Sequence, residues 1–298
     1  MKEKRKYPKK DPLLTETRDL LRQLGIRPRK GLGQHFLIDK EALSTIMEAA
    51  ELTRADVVLE VGPGLGILTR ELAQRAGWVI AIELDDKLAA MLQQRLVTLP
   101  NVTIINRNIL DIDPAALLNE QQVSFSPSLN PLAYKVVANL PYSITSPVLR
   151  HFLEASRKPE FMVVMVQKEV AQAIVAEPGE RSILSISVQF YGKPRIVSHV
   201  PARSFYPAPE VDSAILRIDI YPKPVVAVTD EASFFRLVRA GFSAARKQLV
   251  NSLSQGMALP RERAFRLLDK AGIQSQRRAE TLTLEEWARL WQVYVSEK

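Results

Sequence analysis

The 298-residue sequence predicts an α/β fold: a largely parallel sheet with helices on both faces, followed by a small all-helical domain. Three observations carry that expectation. Short apolar runs alternate with helical periodicity from about residue 57 to 166. A glycine-rich turn joins the first apolar run to the first of those helices. Beyond Tyr221-Pro-Lys-Pro-Val the apolar runs stop and only 3.6-type periodicity continues.

The elements follow in order. Residues 1–14 read as a disordered basic tail, lysine-rich with little to bury. Leucines at helical spacing from Thr17 to Leu24, closed by Gly25, predict a short helix. Asp39 is the natural N-cap of a helix running to about Ala50. Then come the strand Val57–Val61, helix Ile67–Arg75, strand Trp78–Ile82, helix Asp85–Leu96 and strand Val102–Ile105. A polar loop around 119–131 precedes the strand 134–138, a helix from about 146 to 155 and the strand Phe161–Val166. Continuous apolar strands between helices are the signature of a parallel sheet buried on both faces. Arg195–Val200 and Ala214–Tyr221 are two further strands, the second alternating enough to be antiparallel. The first domain therefore spans 15–222. The second spans 228–298, with helices over 230–255, 260–271 and 283–295 broken at Gly256, Pro260 and Gly272.

Composition narrows the function. No apolar run approaches 18 residues, and the polar start Met1-Lys-Glu-Lys-Arg-Lys lacks the apolar stretch of a signal peptide. A cytoplasmic protein is the expectation. Without cysteine there is neither a disulfide nor a thiolate site, and the three widely spaced histidines, His35, His151 and His199, argue against a metal centre. The net charge of +8 is unevenly placed: residues 1–30 carry +7, residues 230–298 carry +4 and the middle carries −3. Cationic ends around a near-neutral body favour a polyanionic partner, and nucleic acid above all.

The most informative stretch is Asn139-Leu140-Pro141-Tyr142, directly after the strand 134–138. The Asn139 side-chain oxygen and the Leu140 carbonyl can each accept one N–H of an exocyclic amine. Tyr142 can stack on the ring that carries it, a contact worth roughly 1–3 kcal/mol. Such a site suits the amino group of adenine, cytosine or guanine, provided a group donor lies opposite. The donor side is Glu60-Val61-Gly62-Pro63-Gly64-Leu65-Gly66, where the first strand becomes the first helix. Its glycines let a ligand approach the backbone at a helix N-terminus. Glu60 would repel a pyrophosphate but welcome ammonium and sulfonium charge. Glu83, about 20 residues past the loop, can accept both hydroxyls of a ribose. Asn108, after the third strand, can pair with an adenine edge or simply form a turn. Together these residues describe S-adenosylmethionine rather than a dinucleotide.

Those motifs, with Gly33-Gln34-His35-Phe36-Leu37, Ile82-Glu83-Leu84-Asp85, the Pro201–Ser213 stretch around Phe205-Tyr206-Pro207 and Phe242-Ser-Ala-Ala-Arg246-Lys247-Gln-Leu, stand in a recognisable order. From about residue 15 to the end, the chain resembles the ribosomal RNA adenine dimethyltransferases, specifically the bacterial KsgA/RsmA type. The resemblance implies a Rossmann-like class I methyltransferase sheet. It implies methylation, by S-adenosylmethionine, of N6 on two adjacent adenines near the 3′ end of small-subunit ribosomal RNA during subunit biogenesis. It gives Gln34, His35 and Leu37 to the methionine end of the cofactor, Glu60, Gly62 and Gly64 to its loop, Glu83 to its ribose and Asn108 to its adenine, and it counts Asn139 among the cofactor-binding residues as well. It gives Asn139, Leu140, Tyr142 and a covering Phe205 to the target adenine, and Arg246, Lys247, Arg277 and Arg278 to RNA phosphates. A monomer without metal is the default. The chain departs from the family at Asn108, usually Asp, and at Ala245, often a second Arg. The alternatives are a large-subunit ribosomal RNA methyltransferase and a non-catalytic ribosome assembly factor. A nicotinamide-dependent oxidoreductase is disfavoured by Glu60, the Asn-Leu-Pro-Tyr stretch and the basic ends.

Overall fold

A computed structural model of the chain describes residues 12–29, 33–121, 129, 133–244 and 246–297. The chain opens with α1 (Pro12–Gln23), β1 (Phe36–Leu37), α2 (Lys40–Ala50), β2 (Val57–Val61), α3 (Ile67–Arg75), β3 (Trp78–Glu83) and α4 (Asp86–Arg95). It continues through β4 (Val102–Asn106), α5 (Pro114–Gln121), β5 (Lys135–Asn139), α6 (Thr145–Leu153), β6 (Phe161–Gln167), α7 (Lys168–Val175) and α8 (Ile183–Tyr191). It ends with β7 (Gly192–Val200), β8 (Phe205–Tyr206), β9 (Ser213–Ile220), α9 (Glu231–Phe242), α10 (Leu249–Gly256), α11 (Arg261–Lys270) and α12 (Leu284–Ser296). Two compact units result: residues up to 171 together with 195–220, and 172–194 together with 221–298.

The first unit is built on a seven-stranded sheet of order β4-β3-β2-β5-β6-β9-β7. Strands β4, β3, β2, β5 and β6 run parallel, and β9 is antiparallel to β6, with Phe161 opposite Asp219 and Gln167 opposite Ser213. Every residue of β2 is buried, as a strand covered on both faces requires. On one face, α2 and α3 pack their apolar sides over Val58, Val79, Val137 and Val163. A second cluster joins Leu20 and Leu21 of α1 to Leu88, Met91 and Leu92 of α4. The chain passes from β2 to β3 on one side of β2, while β5 lies on the other. That reversal opens a crevice at the carboxyl ends of the strands.

The second unit is helical and aromatic at its core. Phe190 of α8 lies 5.1 Å from both Phe234 and Phe235 of α9, and the Tyr191 hydroxyl donates to Glu231 at 2.5 Å. A Thr283–Glu286 capping box starts α12, which buries Trp287 completely.

Several expectations need correction. Of the tail expected over 1–14, residues 1–11 lie outside the described residues, and 12–14 form the first turn of α1, where Leu14 is buried. Helix α1 thus begins five residues before Thr17. The periodic stretch 230–255 is two helices, parted by a turn that serines stabilise: Ser243 donates to the Ser252 carbonyl and Ser252 to that of Ala244. Segment 172–194, which linker composition placed in the first domain, packs with the helical unit because Phe190 and Tyr191 complete its aromatic core. Part of the polar loop around 119–131 is the end of α5, with Leu117 and Leu118 buried.

Candidate active site

Strand order alone sets the layout of the site. Asn108 follows β4, Glu83 ends β3, the glycine turn follows β2 and Asn139 ends β5. Because the sheet runs β4-β3-β2-β5, these four groups lie side by side along one edge in that sequence. They line one cleft of about 1110 Å³, open solvent included, together with residues 33–37 and 140–144.

The donor half is made of backbone and buried carboxylates. Gly62 and Gly64 have φ of 68° and 59°, a region L-residues avoid, and a Cβ on Gly64 would stand 3.1 Å from the Phe36 ring. Glu83 accepts the Gly64 N–H on Oε2 at 3.0 Å and the Asp85 N–H on Oε1 at 2.9 Å. One acceptor position remains on each oxygen for a ligand's hydroxyls. Burial raises the Glu83 pKa, and those N–H donors oppose the rise. Glu60 is 1% exposed, and its Oε2 is buried with no hydrogen-bond partner. Burial pushes its pKa up to about 8, against the Thr69 hydroxyl and with help from the Glu83 charge. An orphaned buried carboxyl oxygen beside an open cleft fits a ligand that brings positive charge or N–H donors.

In the acceptor half, side chains are fixed by loops distant in sequence. The Asn139 Nδ2 donates to the His35 carbonyl at 3.2 Å, which leaves Oδ1 as the acceptor face of the amide. The Leu140 N–H donates to the Met165 carbonyl at 3.1 Å, anchoring that peptide to the sheet. Tyr142 shares a 2.6 Å hydrogen bond with Ser213 and stacks on His35 with centroids 5.6 Å apart. Burial raises the Tyr142 pKa, so the ring stays a neutral phenol. His35 Nδ1 lies 2.7 Å from the Pro207 carbonyl. The loop 33–37 therefore bridges the two halves, because Gln34 Nε2 also reaches Asp85 Oδ2 at 3.4 Å.

Comparison with known proteins agrees with this geometry. The family model described as "Ribosomal RNA adenine dimethylase" matches residues 25–294. The chain belongs to the ribosomal RNA adenine dimethylase family. A relative from Dehalococcoides mccartyi, named Ribosomal RNA small subunit methyltransferase A, is 50% identical over 282 residues, covering 95% of this chain and 94% of the relative. A Bacillus cereus protein of the same name is 42% identical over 95% of this chain and 96% of its own. Among solved structures, the 23S rRNA methyltransferase ErmE is 31% identical with a TM-score of 0.66, covering 87% of this chain and 98% of that one. A dimethyladenosine transferase from Plasmodium falciparum shares the fold at a TM-score of 0.72 and 23% identity, over 88% of this chain and 98% of that one. The expected class I methyltransferase sheet is present.

As an adenine dimethylase, the chain assembles Gln34, His35, Leu37, Glu60, Gly62, Gly64, Glu83, Asn108, Asn139, Leu140 and Tyr142 in the cleft. Phe205 is the exception. It is fully buried in the core cluster and pairs through its backbone with Leu37, so it does not cover a base in this conformation. An aromatic next to a strand pair that closes over the core is drawn inward by its own apolar area. Arg277 is also committed elsewhere. It grips Glu286 with two nitrogens, at 2.5 and 3.0 Å, and the Thr281 carbonyl at 2.6 Å. Arg246 and Lys247 are exposed, in the turn after α9, and Arg278 is exposed with only a 3.8 Å contact to Glu280. Ala245 lies outside the described residues.

Sequence reasoning missed Asp85, Ser213 and Arg107. Asp85 caps α4 through the Lys87 and Leu88 N–H groups and receives Arg29 at 3.5 Å; its N-cap spacing was legible. Ser213 and the Pro207 carbonyl act across more than 70 residues, and no local pattern marks such contacts. Arg107 lines the cleft beside Asn108. No group of three or more His, Cys, Asp or Glu among the described residues is arranged to hold a metal, and none of their helices is long and apolar enough to cross a membrane.

Proposed function

We propose that this chain transfers methyl groups from S-adenosylmethionine to N6 of two adjacent adenines in a loop near the 3′ end of small-subunit ribosomal RNA, giving dimethyladenosines during subunit biogenesis. The observation that carries the reading is the Asn139 amide, whose nitrogen is tied to the His35 carbonyl, leaving its oxygen as the acceptor of a residue that lines the same cleft as Glu83 and the glycine turn.

S-adenosylmethionine supplies an electrophilic methyl on a positively charged sulfur. Glu83 holds the ribose hydroxyls, Gly62 and Gly64 let the backbone approach, Asn108 meets the adenine, and Glu60 faces the cationic amino-acid end with Gln34, His35 and Leu37. Asn139 Oδ1 and the Leu140 carbonyl accept the two N6 hydrogens of the target adenine. That pairing favours a tetrahedral nitrogen with its lone pair aimed at the methyl. The same oxygens stabilise the positive charge that develops on nitrogen, and positioning supplies much of the rest. No general base is required, since the alkylated nitrogen is acidic enough to release its proton to water. Tyr142, with one face against His35, offers the other to the base. The adenine must leave its stack to arrive there, which favours an unpaired loop.

RNA phosphates are met by the basic N-terminal region and by Arg246, Lys247 and Arg278. The functional division is a methyltransferase domain over 15–222 and an RNA-binding helical domain over 228–298, in a cytoplasmic monomer that needs no metal.

The test is methyl-labelled cofactor mixed with small ribosomal subunits that lack those methyls. Label is expected on two adjacent adenines of the small-subunit RNA. Label on large-subunit RNA alone, or on none, overturns the assignment.

A further inference from the structure

The side chain of Asn108 carries an ambiguity that a carboxylate would not. An amide can read a 6-amino purine by turning its oxygen toward the ring amine. Rotated by half a turn, it can read a 6-oxo purine through its NH₂ group. In this structure both ends of the amide are tied. The Leu110 N–H donates to Asn108 Oδ1 at 3.2 Å, and Asn108 Nδ2 donates to Asp111 Oδ2 at 3.1 Å. A backbone N–H can only donate and an ionised carboxylate can only accept, so chemistry fixes the orientation. After a half turn, the amide oxygen would oppose the Asp111 carboxylate and the NH₂ would oppose the Leu110 N–H.

We propose that Asp111 is a specificity-determining residue that holds the Asn108 amide in the orientation that selects a 6-amino over a 6-oxo purine at the donor end of the cleft. Asp111 does not line the cleft, whereas Asn108 does, so it acts through Asn108 as a positioning residue. The arrangement is local and geometric: Asn108 caps the 3-10 turn Ile109–Asp111, which places the Asp111 carboxylate three residues on, against the amide nitrogen. One acceptor position on Oδ1 and one N–H on Nδ2 remain for a purine edge. The inference rests on the cofactor placement proposed above.

The experiment is calorimetric titration of the full chain with S-adenosylhomocysteine and with its 6-oxo counterpart, S-inosylhomocysteine. Wild type is expected to prefer the 6-amino ligand strongly. Asp111→Ala is expected to bind that ligand within a few-fold of wild type while its preference over the 6-oxo ligand falls about ten-fold. Asp111→Asn, which can still present an oxygen to Nδ2, should restore part of the preference. Asn108→Asp, which has no donor for a 6-oxo group, should keep the discrimination high. An unchanged ratio in Asp111→Ala, with S-adenosylhomocysteine still binding, overturns this inference alone. Failure of wild type to bind S-adenosylhomocysteine overturns the cofactor placement and this inference together.

Discussion

The two halves of the cleft are held in place by different means. On the donor side, these anchors lie within 19 residues of sequence. Glu83 bonds Gly64 and Asp85, and Asn108 bonds residues two and three further on. On the acceptor side they are remote: Asn139 is set by His35, Tyr142 by Ser213, and His35 by Pro207. The donor half is therefore a property of the sheet edge itself. The acceptor half exists only once loops from three parts of the chain have converged on it. A change on one side should register in one kind of measurement and leave the other untouched.

The largest expected effect tests that separation directly. In the proposed reaction, Asn139→Ala removes an acceptor that acts on charge developing at the reacting nitrogen. Turnover should fall about 10²–10³-fold, as loss of one preorganised polar contact does elsewhere. Cofactor affinity, measured by calorimetry, should stay within a few-fold of wild type. Full methylation activity in this variant would remove the basis of the acceptor half.

Next in size is Glu60, on the donor side. In the unfolded chain it ionises near 4.5, and in the folded protein burial pushes this up to about 8. The folded state thus keeps a proton that the unfolded chain releases. Stability from this group is fully present below about 4.5, falls as pH rises toward 8, and then levels. Glu60→Gln should flatten that slope and gain on the order of 3 kcal/mol at pH 9, read by denaturant unfolding across pH 5–9. Affinity for a cationic cofactor should move the opposite way in wild type, strengthening with pH until Glu60 is ionised. The variant should lose that dependence. Identical pH slopes for variant and wild type would show that Glu60 is not the titrating group.

The same contrast explains what was legible in the sequence. The strands, the glycine turn and the Asp39 cap follow from short-range pattern, and the structure places them as expected; the Asp85 cap is just as local but was missed. The Asn139 amide was legible as a candidate acceptor, but the carbonyl that orients it lies 104 residues away. Phe205 looked like a base cover because it sits in a Pro-rich loop; its burial depends on pairing with Leu37, which no periodicity announces. Arg277 looked like a phosphate contact as part of the basic C-terminal domain, and only the fold brings Glu286 to it. Helix α8 escaped because its Phe190 serves a core completed by the distant α9.

Gly64→Ala sharpens the donor side further. A Cβ there must accept φ near 59° and stand 3.1 Å from Phe36. The strain should cost about 1–2 kcal/mol of stability. Displacement of the Gly64 N–H from Glu83 should weaken cofactor binding about ten-fold. RNA binding, followed by filter retention without cofactor, should not change. A parallel loss of RNA binding would mean that the halves are mechanically joined through Phe36 and the loop 33–37.

The smallest effect asks the finest question, whether Tyr142 works through its ring or its hydroxyl. Tyr142→Phe keeps the ring and its stack on His35 but removes the partner of Ser213, a hydroxyl with no solvent exposure. The unpaired serine should cost about 1 kcal/mol of stability, and the loosened ring should lower turnover only a few-fold. Because burial keeps the phenol protonated, wild type and variant should share one pH profile through the neutral range. Tyr142→Ala, which also deletes the stacking surface, should lose far more turnover at unchanged cofactor affinity. If the phenylalanine variant were as inactive as the alanine one, the Ser213 bond would be the true anchor of the acceptor half. The target adenine would then be held by a ring whose tilt, more than its presence, decides the reaction.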